Sequence, residues 1–288
     1  MFKALAEFIL RGRIQAIAAT LLGNFFPFMG PSAVALVCLS KGILQSFWVV
    51  MWVSLPLLLL HNISADNPLL IGISVASLGL MVVAATVHQA LASWQWTILA
   101  TLAASVLVAL SFGFLMATSI DNLMQQVAAL IEQISAMQDK PLQEVVLSKS
   151  SLLGVVALVL SVGCVISMLI ARWWQSLVYN PGGFQEEFHN FTIESKTAVV
   201  LVGVMLAGML LPKEYLYWIT LPTIPLLFSG IALIHYWVKL SQLGGHWLVL
   251  FYLSPFLVGT LVAMFLVGLA LGDSLLDIRG RLSKYKNR

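Results

Sequence analysis

The sequence predicts an all-α protein, a polytopic transmembrane helix bundle of about eight spans. Three observations lead there. Only 9% of the 288 residues are charged, where a soluble domain carries about 25%. Apolar residues make up 60%, and the mean hydropathy is +0.97. The apolar residues also fall into runs long enough to cross a bilayer, which takes about 20 residues each. These figures exclude a soluble globular enzyme, a disordered chain and a disulfide scaffold. No polar stretch reaches domain length, so residues 1–288 read as one integral domain.

The runs are Ile14–Leu39, Ile43–Leu60, Leu69–Val87, Trp96–Thr118, Ser151–Ile170, Thr197–Leu211, Tyr215–His235 and His246–Leu271. Gly30-Pro31 interrupts the first and is expected to kink or split it. Pro222 and Pro225 fall in the seventh. Ahead of them Phe2, Leu5, Ala6 and Ile9 recur at helical spacing, which predicts an amphipathic helix over 1–12 lying on the membrane surface. Lys3, Glu7, Arg11 and Arg13 break this stretch up, so it does not read as a cleaved signal peptide.

Counting Lys and Arg near span ends gives the orientation. With eight spans, one side holds Lys3, Arg11, Arg13, Lys140, Lys149, Lys213, Arg279, Arg281, Lys284, Lys286 and Arg288; the other holds Lys41, Arg172, Lys196 and Lys239. Both termini are therefore expected in the cytoplasm, in a bacterial inner membrane. If Gly30-Pro31 turns the chain back, Lys41 changes sides and the following segments flip.

Three segments outside the runs have character. Over 119–150, Ile120, Met124, Val127, Ile131 and Ile134 step by four and three opposite Asp121, Gln125, Glu132 and Gln133, which predicts an amphipathic helix at 120–137. Asp139-Lys140-Pro141 reads as the start of a second short helix. Over 172–196, Trp173, Trp174 and Tyr179 sit where an aromatic belt belongs. Asn180-Pro181-Gly182-Gly183 is a turn signal, and Phe184, Phe188 and Phe191 present one apolar edge beside Glu186 and Glu187. The tail 273–288 is basic and reads as a cytoplasmic stop attracted to anionic lipid.

The chemistry is sparse. None of the runs contains Asp, Glu, Lys or Arg, which argues against a buried-carboxylate pump. There is no H-E-x-x-H, no phosphate loop, no dinucleotide fingerprint and no nucleophile elbow, so we expect no catalysis, no cofactor and no metal. Cys38 and Cys164 read as packed hydrophobes. Of the histidines, His61, His88, His235 and His246 lie at span ends and His189 lies in the 172–196 segment. The small net charge of +3 makes nucleic acid an unexpected partner. The lipid bilayer is the expected one. Other membrane proteins are expected either through the small-residue face of Ala19 and Gly23 or through the helix at 120–137.

The opening FKALAEFILRGRIQA, the segment RWWQSLVYNPGGFQEEF and the ending VGLALGDSLLDIRGRL together resemble proteobacterial members of the YybS-like family of bacterial inner-membrane proteins. That family is similar, distantly, to the substrate-binding subunits of energy-coupling-factor vitamin transporters and, more weakly, to the rod-shape protein MreD. The resemblance implies a membrane-embedded ligand-binding or scaffolding bundle without catalysis of its own.

Two readings of function follow. One is a non-catalytic scaffold or assembly factor of the cell envelope. The alternative is a substrate-binding or transport component for a small molecule, dependent on a partner for energy. Arg172, Trp173, Trp174, Asn180, Gly182, Gly183, Glu186 and Glu187 are the candidate ligand- or partner-binding residues. A lipid-directed enzyme is a third reading. It needs Arg172, Glu186, Glu187 and His189 to cluster, and so needs the segment to fold back.

Overall fold

A computed structural model describes residues 1–63, 68–138 and 148–286, with side chains described only partly next to the gaps and at the C-terminus. Every regular element among them is helical. In order these are α1 (Phe2–Arg11), α2 (Arg13–Gly23), α3 (Met29–Lys41), α4 (Ile43–Ile63), α5 (Pro68–Leu91), α6 (Trp94–Leu115), α7 (Ala117–Gln138) and α8 (Lys149–Tyr179). Then come α9 (Gly183–His189), α10 (Ser195–Gly208), α11 (Leu216–Thr220), α12 (Thr223–Leu240), α13 (His246–Val258), α14 (Thr260–Leu276) and α15 (Ile278–Lys286). Four of the described helices, α5, α6, α8 and α12, are long and apolar enough to cross a membrane. Apart from α4, the other apolar helices are shorter, because glycine, proline and turn residues cut the apolar runs.

The first run is two helices. The break falls at residues 24–28, before Gly30-Pro31, and Pro31 sits inside the first turn of α3, where a missing N–H costs nothing. The helices fold against each other so closely that a Cβ on Gly23 would stand 2.8 Å from the backbone nitrogen of Gly30. The turn stays inside the bundle. Ser167 Oγ donates to the Phe28 carbonyl at 3.3 Å, and Ser32 Oγ donates to the Ser167 carbonyl at 3.0 Å. Ser167 lies about 18 Å below the Tyr179 end of α8, at a rise of roughly 1.5 Å per residue. The α2–α3 pair therefore enters from one end and leaves by the same end. Phe28 holds φ 65, an unfavourable value for an aromatic residue, and its carbonyl also accepts from the amide and hydroxyl of Ser32 at 3.1 and 2.6 Å. A membrane interior supplies no water for such a turn, so the serines satisfy it.

Nearly all of α3 is buried, from Ser32 through Leu39, against α2, α4, α5 and α8. The eighth run is also divided. Gly259, at φ 66 and ψ −138, ends α13 and reverses the chain into α14, which packs along α12. A Cβ on Gly230 of α12 would stand 2.3 Å from the Leu266 carbonyl of α14. The seventh run is split by Pro222 into α11 and α12.

Contacts at the two ends fix which segments share a face. At one end the α8 C-terminus carries the 180–194 loop. There Phe2 packs on Trp173 with ring centroids 5.2 Å apart, Gln175 donates to the Leu39 carbonyl at 3.0 Å, and Ser195 donates to the Ser274 carbonyl at 2.5 Å. We call this the loop end. At the far end Trp218 Nε1 donates to the Ser150 carbonyl at 2.9 Å and Ser151 Oγ to that of Glu214 at 3.0 Å. Both the first helix, α1, and the last, α15, belong to the loop end.

The expected N-terminal amphipathic helix is present as α1, with Ala6 and Ile9 buried on the bundle. The helix expected at 120–137 is α7, which starts at Ala117, directly after the break at Met116. The second short helix expected at Asp139-Lys140-Pro141 lies outside the described residues. Gly23 is used inside the α2–α3 turn and not on an outer face.

Candidate functional site

The three stretches that carry the family resemblance meet at the loop end. α8 runs past the expected end of its span to Tyr179, so Arg172 is a helical residue two turns below the loop. Asn180 closes the helix, its amide donating to the Ser176 carbonyl at 2.9 Å, and accepts from the Gly183 amide at 3.0 Å. Gly182 holds φ 93, which glycine adopts without strain. The Asn-Pro-Gly-Gly turn thus sends α9 back across the bundle end. Phe184 and Phe188 stack with centroids 5.8 Å apart, and Phe188 and Phe191 are buried, so the expected apolar edge of this segment forms.

Folding back brings Arg172 to Glu187. Arg172 Nη2 lies 2.7 Å from Glu187 Oε2, and His88 Nε2 lies 3.0 Å from Oε1. His88 Nδ1 lies 3.1 Å from the Thr97 hydroxyl, and Trp94 packs on the imidazole at a centroid distance of 4.7 Å. Glu186 does not join this cluster. It faces the other way and is exposed, because neighbouring residues on a helix point about 100° apart. The same geometry divides the two tryptophans. Trp173 faces the loop and Phe2, and Trp174 is buried on the opposite side.

A second cluster holds the other end of α9. Asp273 Oδ1 accepts from the Arg279 amide at 3.1 Å, and Asp273 Oδ2 lies 2.9 Å from Arg279 Nε. The guanidinium also donates to the His189 carbonyl and, at 3.2 Å, to the Ser229 carbonyl. Both side chains are almost wholly buried, at 8% and 2% exposure. Within the basic segment 273–288, Asp273 and Arg279 are thus paired inside the bundle and not turned to lipid headgroups. Arg279 is a structural clamp, reached because Asp277 adopts φ 49 and turns α15 back under α14. A third attachment is the Glu194 amide, which donates to Gln95 Oε1 at 2.7 Å.

Between these attachments lies a cavity of about 500 Å³. Leu169, Ile170, Trp173 and Leu177 of α8 form one wall and Phe184 and Phe188 the roof. Ser176, His189, His235 and Tyr252 supply its polar groups, with His235 Nε2 2.9 Å from Tyr252 Oη. A neighbouring chamber of about 370 Å³ shares His189 and is lined by Glu186, Asn190, Tyr236, Lys239 and Leu240. Volumes of this size, with apolar walls and few polar groups, are typical of small-molecule sites. No group of three or more His, Cys, Asp or Glu able to hold a metal exists among the described residues.

His88, Gln95, Asp273, Arg279, His235 and Tyr252 were missed as site residues. The available signal was polarity at the rims of apolar runs: His88 and Gln95 flank one short connection, and Asp273 follows the eighth run.

Burial, followed by the nearby charges of Lys239, His235 and Arg279, lowers the His189 pKa from 6.5 to about 4. Burial alone raises the Glu187 carboxyl, but the His88 hydrogen bond and the Arg172 charge outweigh it and hold it below its ordinary value of 4.5. The unfolded chain therefore takes up a proton at His189 that the folded chain refuses, so stability is full above pH 6.5 and declines from there toward pH 4. Glu187 adds a second loss, as pH falls below 4.5 through its lower folded value. Melting temperatures measured from pH 7.5 to 4.5 are expected to fall, with a shallower slope for His189→Asn. An unchanged slope in that variant refutes this assignment.

The fold and site thus define a class: an all-α membrane protein whose loop closes over a cavity at one end. No family profile, curated protein or solved structure matches the chain.

Proposed function

We propose that the chain is a ligand-binding component of a bacterial inner membrane, non-catalytic and dependent on a partner for energy. The observation that carries this reading is the cavity beneath the 180–194 loop, which is tied to four different helices, α5, α6, α8 and α15. A loop anchored so firmly over an open volume is a preorganised lid for a small molecule. The resemblance to the YybS-like family is part of the same proposal, and the meeting of its three stretches at the loop end supports it.

Orientation follows from charge. Lys3, Arg11, Arg13, Lys41, Arg172, Lys196, Lys239, Arg279 and Arg281 belong to the loop end, and Lys149 and Lys213 to the far end. This asymmetry favours a cytoplasmic loop end. Single cysteines at Gln185 and Ser135 are expected to label from the cytoplasmic and opposite sides respectively. The reverse pattern excludes this orientation.

The scaffold reading retains one observation of its own. α7 is amphipathic and packs only lightly on α5, α6 and α8, so it offers a face to another protein.

The binding reading is tested by extracting the protein into native lipid discs and identifying retained small molecules by mass spectrometry. Wild type is expected to retain one at near-stoichiometric amount, and Leu177→Trp, which fills the cavity, to lose it. Equal recovery from both, or none from either, defeats the reading.

A further inference from the structure

The two chambers at the loop end differ in character, and together they describe one ligand. The larger is an apolar slot. It runs from Ser176 down to Leu169, a drop of about 10 Å along α8. The smaller sits above it, against the last turn of α12, and has one charge of each sign on its rim. Lys239 and Glu186 are both exposed there, and neither forms an ion pair among the described residues. They do not pair with each other, and Asn190 and Tyr236 line the same chamber as neutral hydrogen-bonding groups. His189 lies on both volumes and so joins them.

A ligand of a single charge leaves one of the two rim residues facing a like charge. A headgroup carrying a phosphate and an ammonium satisfies both. The level of the chamber agrees with that chemistry. Trp237, the chain neighbour of Tyr236, and Trp247, in the first turn of α13, are about half exposed, and exposed tryptophans of this kind mark the headgroup level of a bilayer. The slot then lies at the depth of the acyl chains.

The wall beside Tyr252 supplies an entrance. α13 has no buried residue. It is bounded by Gly244-Gly245 at one end and by Gly259, at φ 66, at the other. Its Tyr252 lines the slot, and it packs mainly along α14 and, slightly, α12.

Building on the binding reading above, we propose that the ligand is a zwitterionic phospholipid with a primary ammonium headgroup, taken up sideways from the bilayer past α13. Its acyl chain occupies the slot, Lys239 holds the phosphate and Glu186 holds the ammonium.

The test is a titration of the detergent-solubilised protein, read by native mass spectrometry, with four probes. Lysophosphatidylethanolamine carries every recognised feature. Lysophosphatidylcholine lacks the N–H donors, lysophosphatidylglycerol lacks the cation, and phosphoethanolamine lacks the chain. The first is expected to bind at least about tenfold more tightly than each of the others, a difference of about 1.4 kcal/mol. Glu186→Gln is expected to bring lysophosphatidylethanolamine and lysophosphatidylglycerol to equal affinity, and Lys239→Gln to weaken both. These residues are exposed, so the variants are expected to fold. Equal binding of the two lysolipids by wild type overturns the headgroup assignment, and tight binding of phosphoethanolamine overturns the role of the chain. If a different small molecule is retained by wild type and lost from Leu177→Trp, this inference fails while the binding reading stands. If nothing depends on Leu177→Trp, both fail.

Discussion

Replacing Arg279 by leucine is expected to lower folding stability by about 3–5 kcal/mol, because Asp273 is then left as an uncompensated buried charge. The carboxylate is only 2% exposed, so water does not reach it to make good the loss. The His189 and Ser229 carbonyls lose a donor in the same step. The double variant Asp273→Leu with Arg279→Leu is expected to recover much of the deficit, since removing both members of a buried pair is often close to neutral. The double variant still lacks the tie to His189, so it is expected to melt near wild type yet expose α9 to protease. Thermal melting in detergent, combined with limited proteolysis, separates the two effects. A single variant that melts within about 1 kcal/mol of wild type defeats the claim that this pair is buried and clamping.

Gly230→Ala is the second large effect. The added carbon would stand 2.3 Å from the Leu266 carbonyl oxygen and 3.1 Å from the Leu266 Cβ. The oxygen is backbone, so no rotamer change relieves the contact and α12 must move off α14. Overpacking of this kind costs about 1–3 kcal/mol, occasionally more. Here the shift also pulls Ser229, the neighbouring residue, away from Arg279. Gly268→Ala is the control, because nothing lies within 4 Å of its added carbon. Melting temperatures are expected to fall clearly for Gly230→Ala and hardly at all for Gly268→Ala. Equal melting of the two would show that α12 and α14 are not packed this closely.

The all-α, membrane-embedded class was legible because it rests on composition and run length, which do not depend on tertiary contacts. The Asn180–Gly183 turn was legible for a local reason: proline and glycine set their own dihedrals. Hydropathy does not show a chain turning back inside the bundle. Residues 24–28 carry no charge, so hydropathy barely marks them, and one donor to the turn comes from Ser167, far away in sequence. Gly259 lies in an apolar run with no proline or charge next to it, so nothing local marks it as a turn. The pairing of Arg172 with Glu187 was within reach, since the fold-back was the stated condition for it. Which of Glu186 and Glu187 would pair depended on the phase of a seven-residue helix. Polarity at the rim of an apolar run marked His88 as a candidate, but nothing local gave His88 or Arg279 its partners. Each is placed by partners that come from other helices.

The order of synthesis sets when the α2–α3 turn can be completed. Its serine contacts join residues 135 positions apart, so the partner on α8 leaves the ribosome on the order of ten seconds after Ser32, at about 5–20 residues per second. Until then the apolar N-terminal segment has no cradle at mid-bilayer, and a straight passage through the membrane is open to it. A chain that took that route would begin life with its later helices upside down. The newborn N-terminus therefore has to wait at the surface. α1, with charged residues on one side and apolar ones on the other, is built to hold it there.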